Sequence, residues 1–225
     1  MRRSEINAII RQGKEFFDEF RFRLPPWATW GLEEWRARKA ECAEIISLGL
    51  GWDITDFGSG DFEKNGLFLF TIRNGDIKQR DAKPYAEKIM IVREGQVTPQ
   101  HFHWYKMEDI INRGGGNLVC ELYNSSEDEG LADTPVRIKI DSVERTVAPG
   151  EPITLKPGES VTLPTRLYHK FYGEPGAGTV LVGEVSMTND DHTDNRFHDE
   201  IGRFPEIEED EKPLHLLVSD YQKFL

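Results

Sequence analysis

His101 and His103 stand two residues apart, and Glu108 follows five residues after the second histidine. On a strand, side chains at i and i+2 leave the same face, so the two imidazoles project side by side. A short turn after Tyr105 can carry the Glu108 carboxylate back toward them. Two imidazole nitrogens and one carboxylate oxygen converging on a point suit a first-row divalent cation. The set still wants a fourth ligand. Of the six histidines, four remain besides His101 and His103, at 169, 192, 198 and 215, and of these only His169 lies within a strand-like stretch. A lone strand histidine is ordinarily a packed or surface residue, but beside a His-x-His…Glu group in the same sheet it becomes the expected fourth ligand.

The elements that must position these residues fall into three parts. Residues 4–20 carry Ile6, Ile9, Ile10, Gly13, Phe16, Phe17 and Phe20 at helical spacing, with Ser4 as a cap. Pro25-Pro26 forces an extended link, and a second helix is predicted over 30–47, capped by Thr29. Gly49, Gly51, Gly58 and Gly60 then mark an irregular passage. From Leu67 the texture is that of short strands: 67–73, 88–93, 97–103, 117–123, 136–141, 153–155, 161–163, 167–172 and 179–187. Gly and Pro punctuate them, which predicts an antiparallel sandwich or jelly-roll barrel. The segment 189–197 is too polar for a strand, the acidic run 206–211 reads as a solvated loop, and 214–225 is apolar enough to pack back onto the barrel or onto a partner subunit.

Composition narrows the function. The 225 residues suit one domain, and an apolar fraction of 38% with 13 Phe and 5 Trp can bury a substantial core. A net charge of −12 argues against nucleic acid, because phosphate binding wants clustered Lys and Arg. No apolar stretch approaches a membrane span, and the N-terminal residues lead into no signal-peptide-like run. Cys42 and Cys120 read as buried free thiols in a reducing compartment. A cytoplasmic protein with a small, neutral substrate is the expectation.

The chain resembles the cupin superfamily. Gly95, His101, His103, Glu108 and Gly115 fill its first motif, and Gly158, Pro164 and His169 match its second. Arg166 stands where the second motif has glycine, and Gly173 replaces a later asparagine. A narrower resemblance is to the bacterial D-lyxose isomerases. It is carried by Lys88-Ile89-Met90, by 96–104, by 108–117, by Leu167-Tyr168-His169, by 182–186 and by Asn189-Asp190-Asp191. The resemblance implies a mainly β cupin jelly roll in a single domain, with an N-terminal helical arm (1–65), a barrel (66–188) and a C-terminal extension packing on it (189–225). It also implies a metal held by His101, His103, Glu108 and His169, manganese as that metal, and a homodimer. The implied reaction interconverts D-lyxose and D-xylulose, and often D-mannose and D-fructose.

That chemistry fits the residues. Moving the aldose proton from C2 to C1 needs a Lewis acid on the carbonyl and its neighbouring hydroxyl. Four protein ligands on a six-coordinate ion leave two positions for those oxygens. Manganese, iron or cobalt therefore suits the site better than zinc, which remains an alternative. Ligated histidines cannot be the base. Lys88, between apolar strand neighbours, is expected to point inward with its pKa lowered by the cation and by burial. Lys106 either hydrogen-bonds the sugar or faces solvent. Glu184, in the apolar strand 180–185, is either the base or a partner to Lys88. Asp190 could hold hydroxyls or act as base instead, and residue types alone do not rank it against Glu184. The competing readings are an iron cupin dioxygenase using the same ligands, and a non-catalytic sugar-binding cupin.

Overall fold

The computed structural model describes residues 1–79 and 81–225. The helices are α1 (Arg3–Glu19), α2 (Leu32–Arg38), α3 (Ala43–Ser47) and α4 (Tyr221–Phe224). The first strands are β1 (Gly51–Thr55), β2 (Leu67–Arg73), β3 (Tyr85–Val92), β4 (Val97–Phe102), β5 (Glu108–Gly115), β6 (Leu118–Ser125) and β7 (Leu131–Ala132). After them come β8 (Val136–Ile140), β9 (Val143–Val147), β10 (Ile153–Leu155), β11 (Ser160–Leu163), β12 (Leu167–Gly173), β13 (Val180–Met187) and β14 (Arg196–Phe197). They form an eight-stranded sheet in the order β1-β2-β3-β13-β5-β11-β8-β9 and a six-stranded sheet in the order β10-β6-β12-β4-β14, with β7 added beside β6. The strand pairings within both sheets are antiparallel.

The inner faces of the sheets share one apolar core. Leu69, Met90, Val92, Ile110, Val180 and Val182 come from the larger sheet, and Leu118, Cys120, Leu122, Leu155 and Phe171 from the smaller. The alternate residues of the larger sheet, Phe68, Phe70, Ile89, Ile91 and Leu181, pack outward with Ile6, Ile9, Ile10 and Phe17 of α1. Strand periodicity thus sorts each strand into a barrel-facing row and a helix-facing row. At Gly13 the helix lies so close to the sheet that an added Cβ would stand 2.2 Å from the Phe68 ring. No helix among the described residues is long and apolar enough to cross a membrane.

Several local expectations are corrected. The predicted second helix breaks into α2 and α3 around residues 39–42, with Gly31 rather than Thr29 at its start. The glycine-marked passage contains β1, fully buried against β2. The hairpin β8–β9 turns on Asp141 and Ser142, both at positive φ, so it lacks the glycine that normally announces such a turn. Arg196–Phe197, in the polar stretch, forms a short strand beside β4. The acidic run is also not simply solvated. Asp210 accepts the Ser4 backbone N–H and hydroxyl at 2.8 and 2.6 Å, so Ser4 is inside the first turn and the tail supplies the acceptor there.

One ion-pair cluster ties the two ends of the chain together. The fully buried Arg3 donates to both Asp220 oxygens (2.8 and 2.7 Å) and to both Glu209 oxygens (2.9 Å each). The Arg3 hydrogen bonds draw the Glu209 carboxyl down to about 2, against burial and with help from Lys223. Its folded pKa lies below its unfolded one, so its contribution to stability is complete above about pH 4.5 and disappears as pH falls toward 2. Arg3→Met strands Asp220, which is only 3% exposed, as an unpaired buried carboxylate. The expected cost is about 3–5 kcal/mol in urea unfolding at neutral pH. The variant should also lose the part of the acid dependence that Glu209 supplies.

Candidate active site

The expected ligand residues meet between the two sheets. His101 on β4 and His169 on β12 are directly opposite in the antiparallel register, and His103 lies just past the end of β4. Between His169 and Phe171 the register shifts, so that Thr98 opposes Phe171 and β4 carries one extra residue. This bulge falls at Pro99-Gln100, where a proline with no N–H interrupts the ladder least. It allows Thr98 and His101, three apart, both to line the cavity. Glu108 arrives from the opposite sheet, at the first position of β5.

Backbone carbonyls fix the imidazoles. His101 Nδ1 is 2.7 Å from Pro99 O, His103 Nδ1 is 2.5 Å from Asp194 O, and His169 Nδ1 is 3.0 Å from Leu167 O. A carbonyl only accepts, so each Nδ1 carries the proton and each Nε2 presents a lone pair. Ring nitrogens of the three histidines lie within 4.8 Å of one another. Glu108 Oε1 is 3.1 Å from His169 Nε2 and 3.5 Å from His103 Nε2. At His169 the distance is that of a hydrogen bond but the geometry is not, and Nε2 is a buried atom with no hydrogen-bond partner. Acceptor faces acceptor. Burial, then the neighbouring imidazoles, pushes His101 well below its usual range, and burial followed by Lys106 lowers His103. Burial would raise the Glu108 carboxyl, but Lys106 and His103 hold it well below the usual range. His101 and His103 pushed toward the neutral form, an ionised Glu108 and the unpartnered Nε2 of His169 are what a divalent cation requires, so the residues present fit a metal.

A row of alternating charges leads away from Glu108. Lys106 Nζ is 2.7 Å from Glu108 Oε2 and 3.0 Å from Glu184 Oε1. Lys88, paired with Glu184 across β3 and β13, has its Nζ 3.4 Å from the same Oε1 and donates to Asn189 Oδ1 at 2.9 Å. Asp191 Oδ1 lies 3.9 Å from Lys88 and 3.5 Å from Arg203, which reaches Asp53 at 2.6 Å. Burial would lower the Lys106 ammonium, yet Glu108 and Glu184 outweigh it and raise its pKa. Burial would likewise raise Asp191, and Lys88 and Arg203 override it and pull it down. Among the described residues, both ammonium contacts to Glu184 fall on Oε1 and no donor reaches Oε2. The charged row and the histidines line a small cavity whose other walls include Leu67, Met90, Ile110, Phe171 and Phe197.

Lys88, Lys106 and Glu184 therefore all face the cavity, and Lys106 does not face solvent. Asp190 is elsewhere. Its oxygens accept from the His192 and Thr193 backbone and from the Thr193 hydroxyl, closing a turn, and its neighbour Asp191 takes the cavity position. Sequence reasoning also missed Asp53, Asp194, Asn195 and Arg203. Asp194 holds the loop between ligands by accepting the Tyr105 and Lys106 N–H groups at 3.0 Å each. The only signal for Asp194, Asn195 and Arg203 was the polarity of 189–203, which does not distinguish a buried polar wall from a solvated loop; Asp53 lies in the glycine-marked passage, where no strand was expected. Arg166, in the place of the motif glycine, adopts φ +61°, the conformation glycine would favour, and donates its N–H to His103 O at 2.7 Å.

Residues 1–221 match the family model described as D-lyxose isomerase. The chain belongs to the D-lyxose isomerase family. It is 49% identical over 227 residues to a D-lyxose/D-mannose isomerase of Serratia proteamaculans, each chain covered completely. It is 47% identical over 226 residues to one of Escherichia coli O157:H7, again with complete coverage. Membership of this family makes the chain a sugar isomerase by class. Among solved structures, the L-ribose isomerase of Acinetobacter sp. DL28 in complex with L-ribose superposes with a TM-score of 0.59 at 14% identity, over 92% of this chain and 98% of that one. The L-ribose isomerase of Cellulomonas parahominis with L-ribose gives 0.51 at 17% identity, over 79% and 96%. At these identities the superpositions show a shared fold.

Replacing His101, His103, Glu108 or His169 with Ala should each lower affinity for a divalent cation by at least about 100-fold. Elemental analysis after dialysis against buffered metal checks this, with circular dichroism confirming that the fold is retained.

Proposed function

We propose that this chain is a metal-dependent aldose–ketose isomerase that interconverts D-lyxose with D-xylulose and D-mannose with D-fructose. The observation that carries the reading is the pairing, in one cavity, of an unpartnered imidazole nitrogen facing a carboxylate with a second carboxylate, Glu184, whose Oε2 has no donor among the described residues. His101, His103, Glu108 and His169 would hold the cation, and manganese is the metal we assign. When bound, it would supply a Lewis acid for the negative charge that develops on O1 and O2 of the substrate.

The other steps belong to side chains. Glu184 Oε2 takes the proton from C2 and returns it to C1. Lys88 gives O1 its proton and accepts the one released from O2, which leaves substrate and product as isomers and the enzyme unchanged. Lys106 stays charged between Glu108 and Glu184 and keeps Glu184 oriented through Oε1. Lys88 and Arg203 lower the pKa of Asp191 and so weaken it as a proton acceptor. The apolar walls keep water from the reacting carbons.

The helical arm, barrel and extension act as one domain in this reading. Free buried Cys42 and Cys120 support a cytoplasmic location. Exposed Tyr85, Val185 and Met187 near the paired ends of β3 and β13 support association of two copies. The row of lysines and carboxylates in the cavity and the family membership favour the isomerase over the dioxygenase and non-catalytic readings.

Glu184→Gln should lower kcat for D-lyxose by about 10²–10⁴ while the bound metal is retained. Asp190→Asn should leave turnover near wild type, since that side chain closes a turn outside the cavity. A fully active Glu184→Gln enzyme would remove the assigned base. Apo-protein reloaded with manganese should recover more ketose formation than apo-protein reloaded with zinc, measured at equal metal occupancy.

A further inference from the structure

Besides His169 Nε2, two buried polar atoms of cavity-lining residues lack any hydrogen-bond partner among the described residues: Arg203 Nη1 and Thr98 Oγ1. Neither belongs to the proton-transfer machinery. Arg203 is anchored by its other amino group, Nη2, to Asp53 at 2.6 Å and lies 3.5 Å from Asp191. The ring of Phe204 lies 4.9 Å below its guanidinium carbon. The head is thus held in place while the two N–H bonds of Nη1 have no acceptor. Thr98, 3% exposed, sits three residues before His101 on β4, beyond the bulge. A burial cost of this kind persists only where something else completes the hydrogen bonds. Arg203 also stands at the far end of the charged row that starts at Glu108: Lys106, Glu184, Lys88 and Asp191 intervene, each within 4 Å of the next.

We propose that Arg203 Nη1, with Thr98 Oγ1, binds the hydroxyls at the end of the open sugar chain remote from C1 and C2, so that Arg203 is a specificity-determining residue of this enzyme. The proposal rests on the isomerase reading above, with the reacting carbons at the histidine end of the row. An open pentose then lies along the row, its terminal hydroxyl accepting from the guanidinium. A hydrogen bond to a charged donor discriminates strongly against a substrate lacking the acceptor, because the buried donor is then left unpaired.

The test compares D-lyxose with 5-deoxy-D-lyxose, which lacks only the O5 hydroxyl, on the manganese-loaded enzyme. Wild type should prefer D-lyxose by about 10- to 100-fold in kcat/KM, and Arg203→Met should lose that preference by falling on D-lyxose alone, mainly through KM. Arg203→Lys keeps the cation but not the planar fork, and should retain part of the preference. Thr98→Val, equal in shape, should reduce binding of the non-reacting polyol D-arabinitol in calorimetry without changing metal content. If Arg203→Met and Arg203→Lys lower both sugars equally, or polyol binding survives in the Arg203 and Thr98 variants alike, the assignment is overturned. Failure of wild type to form ketose from either sugar would instead overturn the isomerase reading itself.

Discussion

Carboxylates placed between two packed sheets must each find a cation, and this constraint organises the molecule. Taking one such ion from water into the interior costs several kcal/mol even after relaxation. Asp53, Glu108, Glu184 and Asp191 are paired there with Lys88, Lys106 and Arg203. The four acids and three bases leave one negative charge over, with His101 and His103 lowered toward the neutral form. The excess lies where three imidazole lone pairs gather around Glu108. A divalent cation held there, as we propose, would turn that one-charge deficit of positive charge into a one-charge surplus. The site is thus electrostatically incomplete in the sense needed for the reaction, while the rest of the row is satisfied.

Two geometric devices bring these groups together. The period-2 alternation of β3 and β13 sends Lys88, Met90 and Val92, and Val180, Val182 and Glu184, into the barrel while their neighbours meet α1. The bulge at Pro99 breaks that alternation once, on the strand where Thr98 and His101 must both face inward. It also places the Pro99 carbonyl against His101 Nδ1, so one irregularity serves packing and tautomer selection together.

Residues whose position follows from strand periodicity were legible in the sequence. His101 and His103 share a strand spacing, His169 lies in a strand-like stretch of its own, and Glu108 follows at a turn's length. Lys88 and Glu184 are charges in largely apolar strands, with Met90 and Val182 as their same-face neighbours, which predicts inward burial. Asp190 against Asp191 was not legible, because the choice depends on which carboxylate closes the turn onto Thr193 and which meets Lys88 and Arg203. The same holds for Asp194 and Arg203, whose partners lie on other elements. β5 was read only as a ligand motif because three glycines follow its polar start, and β9 was not read as a strand because its residues are largely exposed and its turn has no glycine. The break between α2 and α3 is set by packing rather than by any residue in it that forbids a helix.

The partner of His103 Nδ1 is the carbonyl of Asp194, whose carboxylate also holds the loop at Tyr105 and Lys106. Both arrive from the extension that follows the barrel, and that extension is clasped in turn by Arg3 at the opposite end of the chain. A nascent chain leaving the ribosome therefore carries His101, His103, Glu108 and His169 well before the imidazole of His103 has its orienting carbonyl. Any partial chain that ends between His169 and Asp194 holds all three imidazoles and Glu108 but lacks the contact that sets the His103 tautomer.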